Sequence, residues 1–223
     1  MLPHWLRRLF YRATLGNHDY KFLFGRPPLD EAVALDCETT GLDPRVDDII
    51  AVAAVRIAGG RILTSERYEA IVAADARPEA DTIKVHGIRR SDVAGGRPMH
   101  EVLPELLRFI GPRPLVGYYI AFDVRMIDKY ALRQIQAKLP NPTIEVSELY
   151  YERKYGNAPP GTEVDLRFAS LLADLGIPEL EQHVAINDAL MAAMAWLQLR
   201  DMKARGVRIG RDRSRTLLAP TGG

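Results

Sequence analysis

The sequence predicts an α/β domain in which one mixed β-sheet is flanked by helices, and three observations carry that prediction. The apolar run "AVALD" is followed by "DDIIAVAAVRIAGGRILTSERYEAIV", two further strand-like stretches joined at Gly59-Gly60. A Gly-Gly pair between apolar runs is a hairpin signal, so three strands come in succession. Beyond them the pattern turns to helix, strand and helix, which requires a crossover returning a later strand to the same sheet. Neither a Gly-x-Gly-x-x-Gly nor a P-loop pattern occurs, so a nucleotide-cofactor enzyme or an NTPase loses its main support.

The remaining elements follow in chain order. "MLPHWLRRLFYRATLG" is basic and amphipathic, with Trp5, Leu6, Leu9 and Phe10 along it, yet it lacks the continuous apolar core of a signal peptide. It is expected to form a surface or docking helix in a basic extension, residues 1–30, and to be the best candidate for a protein-partner contact. Packing on the domain's own surface is the other reading. The domain proper is expected over residues 31–205. After the three strands, "RPMHEVLPELLRFI" sets Val102, Leu103, Leu106, Leu107 and Ile110 at helical spacing. "PLVGYY" reads as a short strand and "FDVRMIDKYALRQIQAKL" as a second amphipathic helix, followed by an irregular segment. "DLRFASLLADLG" ends at Gly176 with Pro178 beyond it, a helix stop. "NDALMAAMAWLQLRDMKARG" is the last long helix, with Asn187 a candidate cap, Gly206 the stop, and Trp196, Met191 and Met194 on a core stripe. Residues 206–223 form a basic tail expected to be disordered.

Composition narrows the class. With 223 residues, 47% of them hydrophobic, the chain can build one sizeable core. The formal net charge of +1 hides an uneven distribution: residues 1–30 carry five Lys/Arg against two acids, 200–223 carry seven against two, and the middle is acidic. An acidic centre with basic ends suits a metal site flanked by tails that contact a polyanion, and merely solvated tails suit it equally. The single cysteine, Cys37, excludes an intramolecular disulfide and a Cys-type zinc site. It is expected to be buried, and a cytoplasmic setting is expected. No apolar run reaches the roughly 18 residues that span a bilayer.

The chemistry concentrates in "VALDCETTGL". On a strand the side-chain period is two, so Asp36 and Glu38 share a face and Cys37 takes the other. Two carboxylates on one face repel unless a cation neutralises them, and hard divalent ions take such oxygen ligands. Alone, a strand-end Asp-x-Glu is more often a solvated edge. Two further acids stand at apolar element ends: Asp123, whose ordinary role would be a helix N-cap, and Asp188, five residues after His183.

"LDCETTGL", "FDVRMI" and "HVAINDA" occur in the order and spacing of the three motifs of the DnaQ-like DEDDh 3′→5′ exonucleases, and the chain resembles that family over roughly residues 31–200. The family includes the proofreading epsilon subunit of bacterial DNA polymerase III. The resemblance implies an RNase H-like fold, a mixed five-stranded sheet flanked by helices. It implies that Asp36, Glu38, Asp123 and Asp188 bind two Mg²⁺ or Mn²⁺ ions and that His183 is the general base. That assignment suits the residue types, since paired ions activate water and stabilise a leaving oxygen, and histidine titrates near neutrality.

The substrate positions implied are Thr39, Thr40, Leu42, His86, Tyr119 and Phe122. Leu42 would wedge against the last base, or be an ordinary core residue after the turn. His86 is read as structural or substrate-proximal. Phe122 either packs beside the terminal base or is buried behind Asp123. The second motif departs from the family's His-Asn-Ala-x-Phe-Asp, reading Tyr118-Tyr119-Ile120-Ala121-Phe122-Asp123. Tyr119 can stack on a base or hydrogen-bond a phosphate, so substrate preference is open.

The expected activity is metal-dependent 3′→5′ hydrolysis of single-stranded or frayed DNA ends to nucleoside 5′-monophosphates. An RNA or oligoribonucleotide exonuclease and a non-catalytic nucleic-acid or protein-docking module are the alternatives. The five retained catalytic positions argue against the last. A stand-alone or loosely associated enzyme is expected rather than a dedicated replicative subunit.

Overall fold

A computed structural model describes residues 4–74 and 93–210. Its elements are α1 (His4–Thr14), a 3₁₀ helix (His18–Phe24), β1 (Glu31–Thr39), β2 (Ile49–Ala58), β3 (Arg61–Ala73), β4 (Arg97–Pro98), α2 (Met99–Ile110), β5 (Leu115–Gly117), α3 (Ile120–Gln134), β6 (Thr143–Glu145), α4 (Val146–Lys154), α5 (Phe168–Leu175) and α6 (Ala185–Ala204). The strands form one sheet in the order β4-β3-β2-β1-β5-β6. β1, β2 and β3 pair antiparallel, while β5 lies parallel to β1 and β6 parallel to β5. The β2–β3 hairpin turns at Gly59 and Gly60, with φ of 55° and 73°, a left-handed pair that glycine adopts without steric cost.

β1 lies inside the sheet with both faces covered, which is why it reads as a continuous apolar run rather than an alternating one. Val33, Leu35 and Cys37 enter one core with α2, α3 and the buried Leu15, Tyr20, Leu23 and Phe24. Ala32 and Ala34 enter a second core with α4, α5 and α6. Burying each large aliphatic side chain of these layers contributes about 1.5–3 kcal/mol. Pro104 inside α2 cannot donate to the carbonyl four residues earlier; that carbonyl, of His100, instead accepts from Gln134 Nε2 at 2.9 Å. The proline's lost bond becomes a tie between α2 and α3.

Several expectations are corrected. Among the described residues the sheet has six strands rather than five, because Arg97–Pro98 pairs with Val72 and Ala73 and extends the β3 edge. The segment read as irregular contains β6 and α4. Asp123 lies in the first turn of α3, whose N-cap position Tyr119 holds. Asn187 lies inside the first turn of α6, whose N-cap is Val184, and its side chain donates to the Glu181 carbonyl at 3.0 Å. The next-to-last helix starts at Phe168 rather than Asp165, because the Asp165 carboxylate binds the Arg167 N–H and the Ser170 hydroxyl instead. Beyond α6, Ile209 N–H donates to the Arg153 carbonyl at 3.2 Å. The rest of the tail, residues 211–223, lies outside the described residues, as does the disorder expected of it.

Candidate active site

The site forms at the carboxyl end of β1. Strand alternation puts Asp36 and Glu38 on the face of Ala32 and Ala34, which α6 covers. The β1–β2 register shifts between Glu38 and Thr39, a bulge that bends the strand just beyond the second carboxylate. α6 carries Asp188 in its first turn. Carboxylate oxygens of Asp36, Glu38 and Asp188 all lie within 4.8 Å of one another.

Such crowding is costly without a counter-charge. Burial, then the charges of Asp123, Glu38 and Asp188, hold the Asp36 carboxyl well above its ordinary range. Burial and Asp188 push Glu38 up to about 7. Asp188 is raised by burial against the opposing pull of His183. Its Oδ2 accepts the His183 N–H at 2.9 Å, whereas Oδ1 is buried with no hydrogen-bond partner. An orphaned acceptor of this kind costs stability. Set among two further carboxylates, it fits a hard divalent cation with oxygen ligands, so the residues present suit a metal ion.

Asp123 arrives from the other layer, in the first turn of α3. It is buried, and its Oδ1 accepts the Cys37 N–H at 3.2 Å. It stands beside the three clustered carboxylates rather than within their 4.8 Å group, close enough that its charge ranks next after burial in raising Asp36. Burial raises Asp123 itself, opposed by the Cys37 N–H. His183 is exposed, immediately before α6. Two non-glycine residues with left-handed backbone flank the site, His183 at φ 60° and Tyr119 at φ 56°. Each holds roughly 1–2 kcal/mol of strain.

Glu145 was not among the residues read from the sequence. It ends β6 and binds two helix starts: Oε2 accepts the Ile120 N–H at 3.0 Å, and Oε1 accepts the Ser147 N–H and hydroxyl at 3.0 and 2.8 Å. It thereby fixes the turn that presents Tyr119 and Asp123. The loop after β1 is fixed by α3, with Lys129 donating to the Asp47 carbonyl at 2.7 Å and Tyr130 to Asp48 at 2.8 Å.

The other candidates fall in three groups. Thr39 and Thr40 are buried with their hydroxyls engaged, Thr39 on the Gly41 carbonyl and Thr40 on Asp47. Leu42 and Tyr119 are exposed, at 85% and 59%, so Leu42 is no core residue. Phe122 is half-buried against the first core, and Cys37 is buried. His86 lies outside the described residues.

A groove of about 1750 Å³ opens at Tyr119. Beside it, Tyr118 stacks on Phe168 with ring centroids 4.5 Å apart and meets the Tyr119 ring at 4.4 Å. The groove's charges cancel largely internally: Lys154 pairs with Asp174, and Arg167 pairs with Asp165 at 2.7 Å.

Comparison with known proteins shows the family. The sequence profile of the exonuclease family, RNase_T, matches residues 33–195. The chain belongs to that exonuclease family. It is 29% identical over 167 residues to the DNA polymerase III subunit epsilon of Aquifex aeolicus, covering 75% of this chain and 79% of that protein. It is 31% identical over 207 residues to a DNA polymerase III subunit epsilon-like protein of Rhodobacter capsulatus, covering 90% of this chain and 28% of that one. Against the PolC-type DNA polymerase III of Thermotoga maritima it is 29% identical, covering 76% of this chain but 12% of the polymerase. The chain thus spans a small part of the PolC-type relatives it matches. The fold is shared with the solved zinc-bound E. coli ExoI–ssDNA complex, at a TM-score of 0.67 and 16% identity over 80% of this chain and 42% of that one.

Proposed function

We propose that this chain is a divalent-metal-dependent 3′→5′ exonuclease that removes nucleoside 5′-monophosphates from single-stranded or frayed DNA ends. The observation that carries the proposal is the cluster of Asp36, Glu38 and Asp188 oxygens within 4.8 Å, with Asp188 Oδ1 buried and unpartnered. Polymerase III subunits among its relatives and a single-stranded DNA complex among its structural neighbours support DNA as the substrate.

In this reading Asp36, Glu38 and Asp188 would hold Mg²⁺ or Mn²⁺ with Asp123 alongside. When bound, the two ions neutralise the terminal phosphodiester, lower the pKa of the attacking water and stabilise the leaving 3′ oxygen. His183 takes the water's proton; its exposure leaves the imidazole free to reach solvent and then pass the proton on. Asp188, bound to the His183 backbone N–H, keeps the base at the mouth of the site. Leu42 and Tyr119, exposed on the two segments bordering the carboxylates, meet the terminal base, Leu42 by wedging and Tyr119 by stacking. Thr39 and Thr40 shape the turn behind them, and Phe122 backs Asp123. The test is digestion of a 5′-labelled single-stranded DNA oligonucleotide with and without Mg²⁺ or Mn²⁺, beside Asp188→Ala and an RNA of the same sequence. A metal-dependent ladder shortening from the 3′ end, absent in the variant, is expected. A folded protein that leaves the DNA intact with either metal would refute the proposal.

A further inference from the structure

A second pocket, of about 330 Å³, lies between α1 and α3. Its lining includes Arg7 and Arg8 from α1, Arg125 from α3 and Lys138 just after α3, against the single carboxylate of Asp128. Asp128 is already bound to the Leu139 N–H at 2.8 Å and is buried. Arg7, Arg8, Arg125 and Lys138 have no carboxylate within 4 Å among the described residues. Arg113, Lys129, Lys154 and Arg167 elsewhere on the fold do pair with one. The pocket therefore keeps a net positive charge that the larger groove, with its internal ion pairs, does not have.

Two of the four cations, Arg8 and Arg125, are held by hydrogen bonds, and the charges of Arg7 and Lys138 act on Asp128. Arg8 donates to the Gly25 carbonyl at 2.6 Å and lies over the Phe24 ring. Gly16 N–H, just past the end of α1, donates to the Ile135 carbonyl at 3.0 Å, which ties the C-terminal end of α1 to the domain. Burial and the neighbouring Arg12 charge lower the Arg8 pKa, as expected where cations crowd without a counter-ion. Arg125 donates from Nε to the Ala121 carbonyl at 3.1 Å, leaving the rest of its guanidinium for an anion. A planar guanidinium and a point-charge ammonium are the side chains that recognise phosphate.

Location supplies the ligand. Ala121 and Arg125, which line the pocket, stand two residues before and after Asp123, on the far side of the same helical turns. The pocket and the carboxylates then lie on opposite sides of α3, and a strand passing around a helix of about 10 Å diameter covers half its circumference, about 16 Å, or about five nucleotides at about 3.4 Å each. We infer that this pocket binds a phosphodiester of the nucleic-acid strand a few nucleotides back from the end being hydrolysed, with α1 completing the site. The inference rests on the exonuclease reading above.

The experiment compares the whole protein with its Arg7→Glu/Lys138→Glu double variant and, separately, Arg125→Glu, after thermal melts show each to be folded. Binding of a fluorescent 20-nucleotide DNA is followed by anisotropy in EDTA across a salt series, and hydrolysis of a labelled dinucleotide is followed with Mn²⁺. The double variant is expected to bind the 20-mer at least about tenfold more weakly, and its log K against log salt slope should flatten by about 1.4, two contacts at about 0.7 each. Dinucleotide hydrolysis, too short to reach the pocket, should be unchanged in both variants. Unchanged 20-mer affinity and slope would overturn the inference, and so would equal losses on both substrates. Inorganic phosphate is the remaining arm: if it raises the melting temperature of the wild type but not of the variants while leaving 20-mer affinity untouched, the pocket serves a free anion and the strand assignment fails. If the wild type leaves the labelled 20-mer itself intact with Mn²⁺, the exonuclease reading fails, independently of the binding result measured in EDTA.

Discussion

Removing the cation should make the stability of this protein fall as pH rises through neutrality, and Glu38 gives the size of the effect. In the unfolded chain its carboxyl ionises near 4.5, and in the fold it is held up to about 7. Between those values the folded protein keeps a proton that the unfolded chain has released, so each rise in pH favours unfolding, and the loss is complete once pH passes about 7. Integrated over the interval, this single group costs about 3 kcal/mol. For a chain of this length that corresponds to a Tm lower by roughly 6–12 °C. Asp36, Asp123 and Asp188 are displaced in the same direction, so Glu38 alone sets a floor. Asp128, raised to about 6 by burial, adds a same-signed slope outside the site. The assay is a set of thermal melts from pH 5 to 8.5 in EDTA and again with excess Mn²⁺, for wild type, Glu38→Gln and Asp128→Asn. The metal-free wild type should lose stability with rising pH, and Mn²⁺ should restore it. Glu38→Gln should flatten the metal-free curve and melt higher than the wild type at pH 8. A metal-free Tm that is level or rising from pH 5 to 8, or an undiminished slope in Glu38→Gln, would refute the electrostatic account of the site.

Other expectations concern the support around the carboxylates. Glu145→Ala leaves the Ile120 and Ser147 donors without their acceptor; it should cost about 1–3 kcal/mol of stability and lower kcat by between about ten- and a hundredfold, with partial recovery in Glu145→Gln, read from melts and single-turnover digestion. Tyr119→Gly should keep or raise Tm, because glycine accepts the left-handed backbone, while losing about 1–3 kcal/mol of oligonucleotide binding if the ring stacks on a base; unchanged affinity would remove Tyr119 from the substrate contacts. Gly117→Ala places a Cβ 2.9 Å from Ile120 Cδ1 and 3.0 Å from the Leu35 carbonyl, and should destabilise by roughly 1–3 kcal/mol in a denaturant titration.

What could be read from the sequence follows from how each feature announces itself. β1 and its two carboxylates stand in one contiguous stretch, and the Gly59-Gly60 turn is local chemistry, so both are visible without tertiary information. α4 is not, because its buried face includes Ser147 and Arg153 beside Val146 and Tyr150, which breaks the apolar period. β6 is three residues long, too short for any period to register. The role of Glu145 depends on reaching Ile120 across 25 residues of chain, and glutamate is not among the preferred helix caps. Asp123 was legible as an acid at a helix start, but its bond to the Cys37 N–H spans 86 residues and belongs to the fold alone. The cationic pocket escaped for the same reason: its residues come from an extension and from both ends of α3, and only packing brings them together.

The four acids come from both sides of the sheet: Asp36 and Glu38 from its central strand, Asp123 from a helix in one covering layer, Asp188 from a helix in the other. Neither half-molecule holds the full set. α6 is also the last of the described helices to leave the ribosome, so a growing or stalled chain carries its cutting tool unassembled until the second layer closes. The carboxylate cluster therefore cannot assemble until both layers have closed on the sheet.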